Sequence, residues 1–157
     1  MDVKTAAPQF RGIPELEIDR KLGYGPTGKT MSANGKLERR IVWNLLKHLE
    51  VNGWVCKIAF DGDCSYKRGN DGSVIEDYEH NLWTTKAGAL TATQVMEIVF
   101  NLDEVSLRFG RGDPKTLHGV YLVLGNGVDL LCDWNYGEGD EDGFNAVMEA
   151  FDTEKFA

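Results

Sequence analysis

The chain has 157 residues, a net charge of −8 and three cysteines, and these totals exclude several classes of protein. The length is typical of one domain that buries its own core without disulfides or metal ions. No run approaches the roughly 18 apolar residues of a membrane-spanning helix. The odd number of cysteines, without a Cys-x-x-Cys pair, and the lack of an apolar leader predict reduced thiols and a cytoplasmic location.

The charge is divided unevenly along the chain. Residues 1–50 carry 9 Lys or Arg against 6 Asp or Glu, whereas residues 101–157 carry 4 against 12. An acidic total argues against direct nucleic-acid binding, because proteins that bind the phosphate backbone present a basic footprint. We therefore expect a protein partner, with an acidic surface that imitates nucleic acid as an alternative.

Hydrophobic periodicity separates an irregular N-terminal arm, residues 1–33, from a single α+β domain, residues 34–157. The arm holds three of the four prolines, and only Leu16–Ile18 suggests a strand there. Apolar residues then recur at three- and four-residue spacing, which predicts a helix over 35–51 that ends at Gly53.

Short β-strands are predicted after this helix. Residues 54–60 are rich in β-branched and aromatic residues and precede an Asp-Gly turn. A second turn at 69–72 separates them from two shorter candidates, 73–78 and 82–86.

A capping box predicts the second helix. Thr91 and Gln94 have the required spacing, and Leu90 and Val95 are placed as a hydrophobic staple, so the helix covers residues 92–102. Residues 105–109 then alternate between apolar and polar side chains, which is typical of a strand with one solvent-exposed face.

Residues 118–134 predict a β-hairpin. Asn126-Gly127 between two apolar runs is typical of a two-residue type I′ turn. Both faces are apolar, so we expect the hairpin inside the sheet and not at its edge. The turn fixes the paired residues: Val123 with Leu130, Leu122 with Leu131, and Tyr121 with Cys132.

The spacing of Phe144, Val147, Met148 and Phe151 predicts a C-terminal helix near 143–152, with Asp142 as its N-cap. The elements do not alternate strictly between strand and helix, and one hairpin must be antiparallel. We therefore predict an α+β fold in which helices pack on an antiparallel sheet.

Residues 23–30 match the pattern of a phosphate-binding loop, with Gly23, Gly28, Lys29 and Thr30 at the defining positions. Such loops bind phosphate between a buried strand and a helix N-terminus. Here the preceding segment, residues 14–20, contains three acidic residues and an arginine, and the next helix begins too late. Nucleotide or phosphate binding by this loop is therefore an alternative function.

A basic stripe on the first predicted helix is the leading candidate for a binding surface. Its members fall within about 100° of arc, opposite the apolar face. An aromatic side chain among cations suits stacking on a base, contact with a phosphate-bearing ligand, or contact with an acidic partner protein. The stripe comprises Lys36, Arg39, Arg40, Trp43 and Lys47.

An acidic run after the last predicted strand is a second candidate surface. It lacks the ligand order of an EF-hand loop, so we expect no metal ion there. The run comprises Asp133, Glu138, Asp140, Glu141 and Asp142.

Catalytic patterns are weak. We expect His48 beside the apolar face of the first helix, and His80 and His118 in loops or at strand edges, each structural or exposed. Cys64 is expected to be exposed, and Cys56 and Cys132 to be buried in strands.

These patterns favour a non-enzymatic accessory protein without a cofactor. It would bind another macromolecule through the basic stripe, the acidic C-terminal run, or both.

The nucleotide alternative is tested by thermal unfolding with millimolar ATP or GTP and magnesium. A ligand that binds the folded state raises the melting temperature, and we expect no such rise because the sequence around the loop is unsuitable. A rise of several degrees that Lys29→Ala abolishes would show instead that the loop binds nucleotide.

Overall fold

A five-stranded antiparallel sheet and three helices form most of the described structure, which confirms the predicted α+β fold. The computed structural model describes residues 3–4, 13–14, 16, 33–62, 67–68, 74–75, 82–83, 88–112, 116–134 and 143–155. The helices are α1 (Ala33–Val51), α2 (Ala92–Val99) and α3 (Phe144–Glu149). The strands are β1 (Val55–Asp61), β2 (Lys67–Arg68), β3 (Val74–Ile75), β4 (Leu82–Trp83), β5 (Glu104–Gly110), β6 (Leu117–Val123) and β7 (Leu131–Trp134).

The sheet has the strand order β4-β1-β5-β6-β7, and β2 and β3 form a separate hairpin. Leu107 at its centre lies opposite Ala59 on β1 and Val120 on β6. These side chains join the hydrophobic core that also includes the buried faces of all three helices. The short strands β3 and β4 lie within the predicted segments 73–78 and 82–86, whereas the turn predicted at 69–72 falls outside the described residues.

The predicted first helix is confirmed as α1. Ile41, Leu45 and Leu49 are completely buried and form its core face. The helix is followed by Gly53 in the left-handed region, with φ of 85°, which glycine adopts without strain. Trp54 N then donates to Leu49 O at 2.9 Å, so the chain leaves α1 directly into β1.

A buried carboxylate joins α1 to the β6–β7 turn. Glu38 is only 4% exposed, and its two carboxylate oxygens lie 3.1 and 2.8 Å from the backbone nitrogen of Gly125. A charged acceptor strengthens such a bond and satisfies a backbone donor that would otherwise be unpaired.

The capping box of α2 is confirmed. Thr91 Oγ1 accepts from Gln94 N at 3.1 Å, and Gln94 Oε1 accepts from Thr91 N at 2.8 Å. The helix ends at Val99, three residues before the predicted end. Asn101 N and Leu102 N bond to carbonyls three residues back, as in a tightened final turn.

The hairpin of β6 and β7 is confirmed, but its turn and its position differ from the prediction. Asn126 has φ of −97°, which excludes the type I′ turn, and a 3-10 turn (Gly127–Asp129) connects the strands instead. Leu122 pairs with Leu131 as predicted. A register shift between Tyr121 and Leu122 places Tyr121 opposite Asp133 and not opposite Cys132.

Strand β7 is an edge strand within the described part of the chain, because β6 is its only neighbour in the strand order. The prediction that the whole hairpin lies inside the sheet was therefore wrong for β7. Cys132 is exposed as a result, and not buried as predicted.

Strand β5 is also more buried than its alternation predicts. Ser106 was expected on a solvent-exposed face but is completely buried. It lies opposite Phe60, which is buried too, and the Arg108 guanidinium lies 5.7 Å from the centre of the Phe60 ring. The second face of the sheet is therefore covered at these positions.

Helix α3 is shorter than predicted, and Gly143, not Asp142, is its N-cap. Gly143 has φ of 81°, a conformation that favours glycine. Phe144, Val147 and Met148 are buried as the periodicity predicted.

Parts of the N-terminal segment pack against the domain. Leu16 is completely buried, and Val3 and Ile13 contact the core. Leu16 is not in a strand, and the rest of the predicted strand to Ile18 lies outside the described residues.

The Glu38 contact predicts a specific loss of stability. Glu38→Ala removes a charge-assisted hydrogen bond and leaves the Gly125 N–H without its acceptor, so we expect the free energy of unfolding to fall by about 2 kcal/mol. Glu38→Gln keeps an acceptor and should cost about 1 kcal/mol in urea unfolding. Lys36→Ala, an exposed change on the same helix, should stay within about 0.5 kcal/mol; equal losses for Glu38→Ala and Lys36→Ala would contradict this role.

Candidate binding groove

A groove of about 420 Å³ lies between α1, the start of α2 and strand β1. Most of its lining side chains are apolar, and the few polar ones lie on the two helices. Its principal lining residues are Trp43, Leu46, Lys47, Val55, Leu90 and Val95.

Helical spacing brings the α1 wall together. Trp43, Leu46, Lys47 and Glu50 follow one another at intervals of three, one and three residues, so they share one face of the helix. All four line the groove.

The opposite wall is the beginning of α2. The Thr91 capping box fixes where that helix starts. Leu90, just before it, donates its N–H to Cys56 O at 2.8 Å and is thereby held beside β1. The start of α2 is therefore held beside β1, across the groove from α1.

Trp43 and Lys47 form a cation–π pair at the groove. The Lys47 ammonium lies 4.7 Å from the centre of the Trp43 ring, within the range of this interaction. Lys47 also lies 3.3 Å from Glu50, in an ion pair whose side chains are 29% and 56% exposed. Trp43 itself is only 7% exposed, whereas the helical pattern placed it on a solvated face.

The remaining members of the basic stripe differ in exposure. Lys36 is exposed and Arg40 is half-buried. The Arg39 guanidinium is half-buried and donates from Nη2 to Pro14 O at 3.0 Å, so it also holds the N-terminal segment. The stripe therefore continues along α1 into the groove, where Trp43 and Lys47 lie.

The other two predicted surfaces are mostly outside the described residues. This applies to Gly23, Gly28, Lys29 and Thr30 of the phosphate-loop match, and to Glu138, Asp140, Glu141 and Asp142 of the acidic run. Asp133 is described and exposed, and its Oδ1 accepts from Trp134 N at 2.8 Å. Both surfaces stay predictions.

Two histidines are core residues. His48 is completely buried, and its Nε2 lies 2.6 Å from Val147 O, so this nitrogen is the donor. His118 is also completely buried and stacks on Phe144 at 4.7 Å between ring centres. His118 is the second residue of β6 and lies opposite Phe109 on β5, so it lies near the start of a strand and not in a loop. His80 lies outside the described residues.

Cys56 lines the groove but its thiol is not activated. Burial raises the pKa of Cys56 from 9.0 to about 12, and hydrogen bonds with the backbone of Ile58 and Arg108 offset only part of this effect. The folded chain therefore keeps this proton where the unfolded chain loses it. The resulting contribution to stability is present below pH 9.0 and is lost as the pH rises towards about 12.

The inner end of the groove is formed by Trp54, which is 1% exposed. Its ring packs edge-on against His118 and Phe144 on one side. The Arg111 guanidinium lies 4.7 Å from the ring centre. Trp54 is consequently a fixed part of the wall.

Sequence patterns identified only one wall of this groove. The basic stripe contains Trp43 and Lys47, whereas the α2 wall was recognised only as a helix start. The hydrophobic staple of Leu90 and Val95 was the available signal, since both side chains are buried against the same core.

A second depression, of about 400 Å³, is lined by Asp61, Asn101, Asp103 and Glu104 among others. Glu104 Oε2 accepts from the Tyr121 hydroxyl at 2.7 Å. In the part of the chain that the structure describes, no three His, Cys, Asp or Glu residues are grouped closely enough to hold a metal ion.

Comparison with known proteins gives no relative: no protein-family model, curated protein or solved structure matches the chain. None of the described helices has the length and apolar character needed to cross a membrane.

The environment of the cysteines predicts their reactivity. In a Cys64→Ser variant at pH 7.5, iodoacetamide should modify the exposed Cys132 at least about 100-fold faster than Cys56, because only the thiolate is the nucleophile and Cys56 is both buried and protonated. Peptide mass spectrometry measures both rates. Similar rates in the folded protein would contradict the described burial, and addition of urea should remove the difference.

Proposed function

We propose that this protein is a non-enzymatic binding protein whose groove receives an apolar side chain from an acidic segment of a partner protein. The observation that carries the proposal is the Trp43–Lys47 pair, which places the basic stripe in direct continuity with an apolar groove. Apolar burial would supply affinity, and the stripe would orient the segment.

The shape of the groove supports an anchor side chain. Its volume of about 420 Å³ is within the range of sites that enclose small molecules or large side chains. Binding energy in protein interfaces is concentrated in a few such buried anchors surrounded by polar contacts. Here the polar contacts would come from Lys47, Glu50 and the hydroxyl groups of Thr91 and Thr93.

The basic residues along α1 favour a partner segment that is acidic. Lys36, Arg40 and Lys47 lie along one side of α1, although the chain as a whole carries −8. A locally basic surface on an acidic protein favours one orientation of an acidic partner and disfavours contact elsewhere.

The residues that line the groove favour binding without catalysis. Its described side chains include no histidine, and its thiol, that of Cys56, is protonated at neutral pH. The Lys47 ammonium is paired with Glu50. Neither the protonated Cys56 thiol nor the ion-paired Lys47 is arranged as an activated nucleophile.

The proposal is tested by selecting peptides from a random 12-residue phage library against the full chain. We expect enriched peptides with a large apolar residue flanked by Asp or Glu. Thr93→Trp, which fills the groove from an exposed position, should weaken their binding at least 10-fold, or 1.4 kcal/mol. Lys47→Glu should weaken binding by about 10-fold through like-charge repulsion.

Two control variants match these changes in size and charge. Ala146→Trp adds the same ring at an exposed position of α3, and Lys155→Glu makes the same charge change, both outside the groove lining. Both should bind like the wild type. Failure to enrich any peptide, or peptides that bind Thr93→Trp and Ala146→Trp equally well, would overturn the proposal.

A further inference from the structure

The side chain of Asn52 holds a distant backbone segment, Val3–Lys4, against the end of α1. Asn52 Oδ1 accepts from Lys4 N at 2.9 Å, and Asn52 Nδ2 donates to Lys4 O at 2.7 Å. Nδ2 also donates to His48 O at 2.8 Å, which fixes the plane of the amide. One oriented amide therefore pairs with both backbone groups of a residue 48 positions earlier.

The contact depends on the backbone of Lys4 and not on its side chain, which is exposed. Val3 beside it packs against the hydrophobic core. Both hydrogen bonds to Lys4 are solvent-exposed, so each contributes little net free energy. Segments held in this way open locally at a much lower cost than global unfolding.

The same residue is connected to the groove. Asn52 O accepts from Arg111 Nη1 at 3.3 Å, and the Arg111 guanidinium lies over the ring of Trp54. Trp54 forms part of the groove wall. The backbone of Asn52 and its side chain thus join the Val3–Lys4 segment, the end of α1 and the groove in one set of contacts.

We propose that Val3–Lys4 is a detachable latch that controls the rigidity of the groove. With the latch closed, Asn52 and Arg111 are held in place and Trp54 is fixed for ligand binding. With the latch open, the final turn of α1 loosens and the groove loses part of its preorganisation, which weakens binding. The effect on binding rests on the proposed function of the groove, whereas the latch itself does not.

A pair of substitutions at one position tests the latch without altering α1. Lys4→Pro removes the N–H group that donates a hydrogen bond to Asn52 Oδ1, whereas Lys4→Ala leaves both backbone groups in place. Amide hydrogen exchange is measured at Asn52, Gly53 and Trp54, whose N–H groups bond within the final turn of α1. We expect exchange about fivefold faster in Lys4→Pro than in wild type, and no change in Lys4→Ala.

Asn52→Ala gives an independent measurement. This variant should accelerate hydrogen exchange at the same amides. The double variant Lys4→Pro/Asn52→Ala should exchange no faster than Asn52→Ala alone, because both changes remove the same contact between Asn52 and Lys4. Equal exchange in Lys4→Pro and Lys4→Ala, or fully additive effects in the double variant, would overturn the latch.

The link to the groove is measured with the peptide selected in the phage experiment. Lys4→Pro should weaken its binding about threefold by loss of preorganisation, and Lys4→Ala should leave binding unchanged. Faster exchange with unchanged peptide affinity would overturn control of the groove. If no peptide is selected, the proposed function fails, and the exchange experiment still decides whether the latch exists.

Discussion

Burial of one face of α1 is the constraint on which the other described features depend. Ile41, Leu45 and Leu49 are completely buried in the hydrophobic core and fix the rotation of the helix about its axis. That rotation directs Glu38 to the β6–β7 turn and Trp43 to α2. It also directs Asn52, after the last turn, to the backbone of Lys4. Glu38 shares the buried face, Trp43 lies on another side of the helix and Asn52 follows its end, so these contacts depend on a single packing orientation.

The polar contacts of α1 occur where apolar packing alone would not specify the position of the helix relative to its neighbours. Glu38 binds one backbone N–H in a buried setting, where removal of either partner is costly. His48 likewise donates to a carbonyl of α3, and its ring lies 5.6 Å from that of Phe151. Apolar burial supplies most of the driving force, and these hydrogen bonds add directional constraints on how the helices pack.

Local patterns in the sequence predicted the helices and the central strands, because periodicity, the Thr91 capping box and Gly53 act over a few residues. The hairpin was predicted for the same reason. Its turn differs from the predicted type, and the neighbouring Gly125 N–H binds Glu38, which lies 87 residues away in the sequence. The Asn126-Gly127 pair favours a type I′ turn, but a local pattern contains no information about a contact with a distant residue such as Glu38.

Only one wall of the candidate site was predicted from the sequence, for a related reason. A helical projection places Trp43 with the basic residues, and it does lie beside Lys47. The projection could not show that the start of α2 lies across a groove from this face, or that Trp43 is buried. Likewise, the exposure of Cys132 and the burial of His118 depend on strand order, which a single sequence does not specify.

The Asp133 side chain has a consequence for behaviour at high concentration. An edge strand offers unpaired backbone groups to the strands of other molecules, and proteins reduce that tendency with charges and local irregularities. On β7, Asp133 accepts from the N–H of Trp134, and the register shift opposite Tyr121 interrupts regular pairing. Among the described strands, β7 therefore combines a charged side chain with a bulge, two features that disfavour intermolecular β-sheet pairing at an edge.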